Sequence, residues 1–270
     1  MTESFSGDVV ANGSRLHYYR TGGAKPPVVL CHGVTDDGLC WTPLAQALED
    51  DYDVIMLDAL GHGLSDAAAD GLDYDRQAAD LAGFVTALGL ARPAIGGHSM
   101  GAMTALYLAA DYPDLPRGVF LEDPPLRGLA DMSPAEREAA AEGMRKWIAS
   151  LRGPTREQLI EQCRRDSPAW SDAEVGPWAD SKLRVHLDLS SILEPPRRSW
   201  QELLARVTCP ALLITADPER GAIVTAEQSA EAARIAPSLG VVHLPGAGHN
   251  IRRERFDGYV AAVRAFLAGA

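Results

Sequence analysis

Ala94-Ile95-Gly96-Gly97-His98-Ser99-Met100-Gly101-Ala102 decides how this 270-residue chain is read. An apolar run ends in glycine, a serine follows His98, and Ala102-Met103-Thr104-Ala105-Leu106-Tyr107-Leu108 then reads as helix. Gly97-x-Ser99-x-Gly101 is the pattern of a sharp strand-to-helix turn that must hold one side chain up and out. Glycines without Cβ let neighbouring backbone crowd against the bend, and the serine takes a strained backbone conformation. The first amides of the helix then point at the serine oxygen, where partial positive charge meets developing negative charge.

Outward from that turn, strand and helix patterns alternate. Arg15–Tyr19, followed by Gly22-Gly23, reads as a hairpin-like start. Pro27–Cys31 is a short continuous apolar run, as in a strand covered on both faces, and it stops at the glycine-rich loop His32–Gly38. A helix is predicted over Trp41–Glu49, a strand over Tyr52–Asp58, and a helix over Asp75–Leu88 with Gly89 at its C-terminal cap. Arg117–Asp123 is a further strand closed by Pro124-Pro125. This βαβ rhythm predicts a largely parallel sheet with helices on both faces, and ligands beyond the carboxyl ends of the strands.

From about Arg127 to Trp200 the rhythm changes. Ser133-Pro134-x-Glu136, Thr155 with Gln158, and Ser171 with Glu174 are capping-box signals for three helices, and Trp147, Trp170, Trp178 and Trp200 fall in this stretch. The expected organisation is a core over residues 1–126, a helical lid over 127–200 with a hinge-like exit at Pro195–Arg198, and a second core part over 201–270. In that last part Val207–Ala216 and Gly240–Pro245 read as strands. A helix capped by Thr225 lies between them, and a closing helix spans roughly Arg253–Leu267.

Composition narrows the function classes. A formal charge of -12 and a pI near 5.0 argue against nucleic acid, which selects basic surfaces. No segment approaches 18 uninterrupted apolar residues, so no membrane span is expected. The polar stretch Met1–Asp8 has no apolar signal region, and Cys31, Cys40, Cys163 and Cys209 form no CxxC pair. A reducing, cytoplasmic setting is the expectation. Histidines and carboxylates lack a compact ligand pattern, and no G-x-G-x-x-G loop occurs, so neither metal nor cofactor is expected. Composition does not separate a monomer from a dimer.

Four motifs together resemble the α/β-hydrolase fold superfamily: His32-Gly33, Gly61-His62-Gly63-x-Ser65, Gly97-His98-Ser99-Met100-Gly101 and Gly246-Ala247-Gly248-His249. They cover the chain outside the lid, in the order serine, acid, histidine. One departure is Ala102, where small members of this type often carry another glycine. Ser99 reads as nucleophile, since a serine hydroxyl needs a base to remove its proton as it attacks. His249, in a short glycine-flanked loop after the last strand, reads as that base. His62 is expected to shape its own loop, and His98 to point away from the serine side chain.

The acid that orients His249 is read as Asp123, with Glu219 and then Asp217 as alternatives. Position after the later strand favours Glu219 by resemblance, with Asp217 beside it. Asp123, at a strand end held by two prolines, occupies the position used by lactonases resembling the zearalenone-degrading enzymes and by one branch of the haloalkane dehalogenases. The resemblance further implies an oxyanion hole from the backbone N–H of Val34 and Met100. His32, Asp36, Trp147, Trp178 and His186 are candidate pocket residues.

The expected activity is hydrolysis of a carboxylic ester or lactone through an acyl-enzyme, on an apolar or aromatic small molecule suggested by the tryptophans. An amidase, a carbon-carbon bond hydrolase, or a cofactor-free perhydrolase resembling the non-haem haloperoxidases is the alternative. A non-catalytic small-molecule binding module is the option from another class. Serine at the elbow argues against the dehalogenases and epoxide hydrolases of this fold, which use aspartate there.

Overall fold

Eight strands form one sheet in the order β1-β2-β4-β3-β5-β6-β7-β8. The computed structural model describes residues 5–68, 72–126, 132–186 and 198–270. β1 (Phe5–Ala11) and β2 (Ser14–Arg20) make an antiparallel hairpin around Asn12-Gly13, both at positive φ, as a two-residue turn between twisted strands requires. β2 pairs antiparallel with β4 (Asp53–Leu57), and every pairing beyond that is parallel. Those strands are β3 (Pro27–Cys31), β5 (Ala94–His98), β6 (Gly118–Glu122), β7 (Ala211–Thr215) and β8 (Leu239–His243).

The chain runs from β3 outward to β4, then returns to lay β5 on the other side of β3. That reversal opens a crevice beyond the carboxyl ends of β3 and β5, where loops from the two halves diverge. The loop after β3 and the turn at Ser99 therefore meet there.

Strand periodicity of two sorts the core into two layers. Val29, Ile55, Ile95, Val119, Leu121 and Leu213 face one side with helices α2 (Tyr74–Ala87) and α3 (Met100–Asp111). Val28, Leu30, Val54, Met56, Phe120, Leu212 and Ile214 face the other, against α1 (Thr42–Leu48) and α10 (Phe256–Gly269). From Met100 to Ala110 every residue of α3 is buried, so the helix after Ser99 is enclosed on all sides. Gly89 takes φ +61 just beyond α2, as its predicted capping place requires.

Between β6 and β7 stand α4 (Pro134–Ser150), α5 (Arg156–Asp166) and α6 (Asp172–Leu183), followed by α7 (Trp200–Leu204), with no strand among the described residues. Ser133 with Glu136 and Thr155 with Gln158 form the predicted capping boxes. Ser171 makes no such cap, because Glu174 turns its carboxylate to the Arg253 guanidinium, 3.1 Å away. Trp200 also departs from its three companions: it packs in the sheet core. Of the expected exit Pro195–Arg198, only Arg198 lies within the described residues, and the expected boundary at Arg127 lies outside them. Arg198 is tied to Asp111 and Asp75. β8 precedes the loop of His249, then α9 (Ile251–Glu254), with α8 (Ala226–Ile235) before it.

Candidate active site

Ser99 sits between β5 and α3 at φ 51 and ψ -113, a conformation that L residues avoid and that surrounding structure must enforce. The flanking glycines supply that enforcement by proximity. A Cβ on Gly97 would lie 2.2 Å from the carbonyl oxygen of Gly101, and one on Gly101 would lie 2.1 Å from that of Cys31. The Ser99 amide donates to Glu122 O at 2.9 Å, which fixes the turn to β6.

Of the three candidate acids, the fold brings one to His249. Asp123, one residue past β6 and itself at φ 43, accepts from His249 Nδ1 at 2.6 Å. Its two oxygens also accept the amides of Ile223 and Val224, so a fully buried carboxylate is held from three directions. A carboxylate accepts only, so Nδ1 carries the proton in this bond. Asp217 instead accepts from His243 Nε2 at 3.0 Å and from the amide of Gly246 at 2.6 Å. Glu219 lies exposed in the turn Pro218–Arg220.

Ser99 and His249 line one cavity of about 160 Å³ with Gly33, Val34, Asp36, Trp147, Trp170 and Trp178 in its wall. A Cβ built on Gly33 would stand 3.5 Å from that of Ser99, so the Gly33–Val34 peptide lies against the serine. Met100, next after Ser99, opens α3.

Three histidines differ from expectation. His98 does not turn away from the serine; it lines the same cavity, its Nε2 donates to His249 O at 2.9 Å, and the two rings lie 4.6 Å apart. Burial holds His98 well below the usual histidine range, so it stays neutral. His32 lies outside the cavity, with Nδ1 on Gly33 O at 2.8 Å and Nε2 accepting from Ala59 N at 3.0 Å. It lines a separate small void of about 20 Å³. His186 is also outside, joined through its amide to Gly61 O. His62 bonds Leu60 O within its own loop, as expected.

Sequence reasoning missed Trp170 and two cations as cavity residues. Lys182 of α6 and Arg253 of α9 line the cavity and both bind Asp36, at 2.6 and 2.9 Å, while Arg252 approaches it at 3.4 Å. Burial alone would raise the Asp36 carboxyl, but Arg253, Lys182 and Arg252 together hold it well below the usual range. Arg253 also stacks on Trp170 at 4.5 Å. No local motif announces these pairs, whose members stand far apart in the chain. Among the described residues no group of His, Cys, Asp or Glu is arranged to hold a metal ion, and no helix is long and apolar enough to cross a membrane.

A family model described as alpha/beta hydrolase fold matches residues 26–252. The chain belongs to that family. Among members of the alpha/beta hydrolase fold, it is 33% identical to an N-formylmaleamate deformylase of Pseudomonas putida, over 97% of this chain and 96% of the relative. It is 28% identical to a 2-(acetamidomethylene)succinate hydrolase of Mesorhizobium japonicum, covering 92% of this chain and 90% of the relative. A thermophilic esterase from Thermogutta terrifontis, solved with malate bound, superposes with a TM-score of 0.78 at 26% identity, over 98% of each chain. This alpha/beta hydrolase is thus similar to enzymes of both C–N and ester hydrolysis.

Proposed function

We propose that this hydrolase cleaves the amide C–N bond of a small, carboxylate-bearing N-acyl compound through an acyl-enzyme on Ser99. The observation that carries the mechanism is the His249–Asp123 bond of 2.6 Å beside the cavity that also holds Ser99. Ser99 Oγ attacks the amide carbon while His249 Nε2 takes its proton, and the oxyanion faces the amides of Val34 and Met100. Collapse breaks the C–N bond, and the departing nitrogen receives the proton from His249. Water, deprotonated by the same ring, then cleaves the ester on Ser99 and frees the acid.

The two relatives named above support an amide over the ester or lactone expected from sequence, since both names describe N-acyl compounds bearing carboxylate. The cavity agrees in size and charge. At about 160 Å³ it falls below the roughly 300–1,000 Å³ of sites for drug-sized ligands. Its wall is not purely apolar. Arg253 uses three donors on Glu174, Asn250 and Asp36, and a guanidinium has five, so two remain for a carboxylate. The tryptophans then flank the planar acyl portion. Ester cleavage is the second reading, favoured by likeness to the malate-bound esterase.

The test is a panel of N-formyl and N-acetyl amides of short unsaturated dicarboxylic acids. It is run beside neutral isosteres, p-nitrophenyl acetate and short lactones. An acidic amide is expected to exceed its neutral isostere by about 100-fold in kcat/KM, the scale of about 3 kcal/mol for a charged hydrogen bond. Turnover confined to esters or lactones overturns the amide assignment.

A further inference from the structure

We propose that Lys182, carried by the inserted helix α6, is a positioning residue that holds the oxyanion turn in its strained shape. This rests on the reading of the Val34 amide as an oxyanion donor. Thr35, directly after Val34, sits at φ 66, and a β-branched side chain at positive φ is a backbone outlier. Its buried hydroxyl has no hydrogen-bond partner among the described residues, so the side chain offers the turn no compensation.

The two peptide groups flanking Thr35 are instead gripped from outside. Its N–H donates to His62 Nε2 at 3.3 Å. His62 can accept because its Nδ1 proton faces Leu60 O at 3.1 Å, and burial holds the ring well below the usual histidine range. The Thr35 C=O accepts from Lys182 Nζ at 3.0 Å. The same ammonium reaches Asp36 Oδ1 at 2.6 Å and Ser181 Oγ at 3.4 Å. An ammonium has three N–H donors, and these three partners occupy them, so Lys182 has none left for substrate. It lines the cavity yet acts on the turn.

Both ends of α6 are tied down in the same way. Glu174 in its first turn binds Arg253 of α9, and Arg184 just past its end binds Asp37 at 3.0 Å. The helix that brings Trp178 to the cavity is therefore fastened to the loop of Val34 and to the helix after His249. The inserted segment completes the site, and is not merely a cover over it.

The test uses Lys182→Met, which leaves Asp36 paired with Arg252 and Arg253, and Lys182→Gln, which keeps a donor for the Thr35 carbonyl without charge. In Lys182→Met, kcat is expected to fall about 30- to 100-fold with KM within about twofold, the scale of a displaced oxyanion donor. Lys182→Gln is expected to fall less than about tenfold. Phosphonylation of Ser99 by a small fluorophosphonate, followed by intact mass, is expected to slow in parallel. There Ser99 Oγ bonds phosphorus, fluoride leaves, and the proton passes to His249. Adding Thr35→Asn, a residue that accepts positive φ, is expected to recover part of the Lys182→Met loss. A raised KM at unchanged kcat makes Lys182 a substrate anchor and overturns the proposal. So does unchanged kinetics with a lowered Tm. Measuring with p-nitrophenyl acetate and by phosphonylation separates this from the amide assignment, which fails on the amide panel alone.

Discussion

Two histidine–aspartate pairs stand at neighbouring strand ends of this molecule, and they differ in burial and in backbone setting. Asp123 is fully buried and meets His249 at 2.6 Å, whereas Asp217 keeps 17% of its side chain exposed and meets His243 at 3.0 Å. Each histidine even has a hydroxyl near it: Ser99 in the cavity of His249, and Thr215 Oγ1 at 3.2 Å from His243 Nδ1. The groove beside Thr215 and His243, at about 410 Å³, is larger than the cavity at Ser99. Residue types and volume therefore do not single out the Ser99 site. What separates them is backbone. Thr215 ends a regular strand, while Ser99 is held at positive φ with a helix N-terminus and the Gly33–Val34 peptide against it. Asp217 serves the same loop in another way, by fixing Gly246 and thereby the path of the chain to His249.

The largest effect expected is from Ser99→Ala. It should lower kcat/KM by at least about 10⁴-fold with an unchanged circular dichroism spectrum, against less than about twofold for Thr215→Ala. The reverse result would exchange the two sites. Asp123→Asn comes next, with a loss of about 10³- to 10⁴-fold in kcat because the amide favours the wrong imidazole tautomer. Asp217→Asn should stay within about threefold, and equal losses from the two substitutions would erase the distinction between the pairs.

Stability measurements sharpen the contrast between acids. Asp36 and Asp37 are consecutive and buried, yet burial and the nearby Asp58 push Asp37 up to about 7, while three cations keep Asp36 low. A carboxyl raised in the folded state binds a proton there that the unfolded chain releases near pH 4. Stability from Asp37 is therefore present at low pH and is lost as pH rises toward 7, by at most about 1.4 kcal/mol per pH unit. Asp37→Asn should flatten the urea midpoint between pH 4 and 7, and an unaltered slope would refute this account. The smallest effect concerns Asp217, whose carboxyl is lowered by the Gly246 amide and then by His243. Its contribution is present above about pH 4 and lost below, so the Tm gap between wild type and Asp217→Asn should close on acidification.

Local chemistry made much of this protein legible from sequence. Continuous apolar runs announced buried strands, cap residues announced α4 and α5, and the glycines at 97 and 101 announced a bend too tight for any Cβ. These signals are legible because each is enforced within a few residues. The histidine that each of Asp123 and Asp217 meets, the entry of His98 into the cavity, and the cations on Asp36 were not legible in that way. Each depends on which strand end stands beside which, and Lys182 meets Asp36 across 146 positions of chain. A carboxylate carries no mark of its partner in its own neighbourhood. Only the order of strands in the sheet, set by burial of two apolar faces, brings the partners within reach.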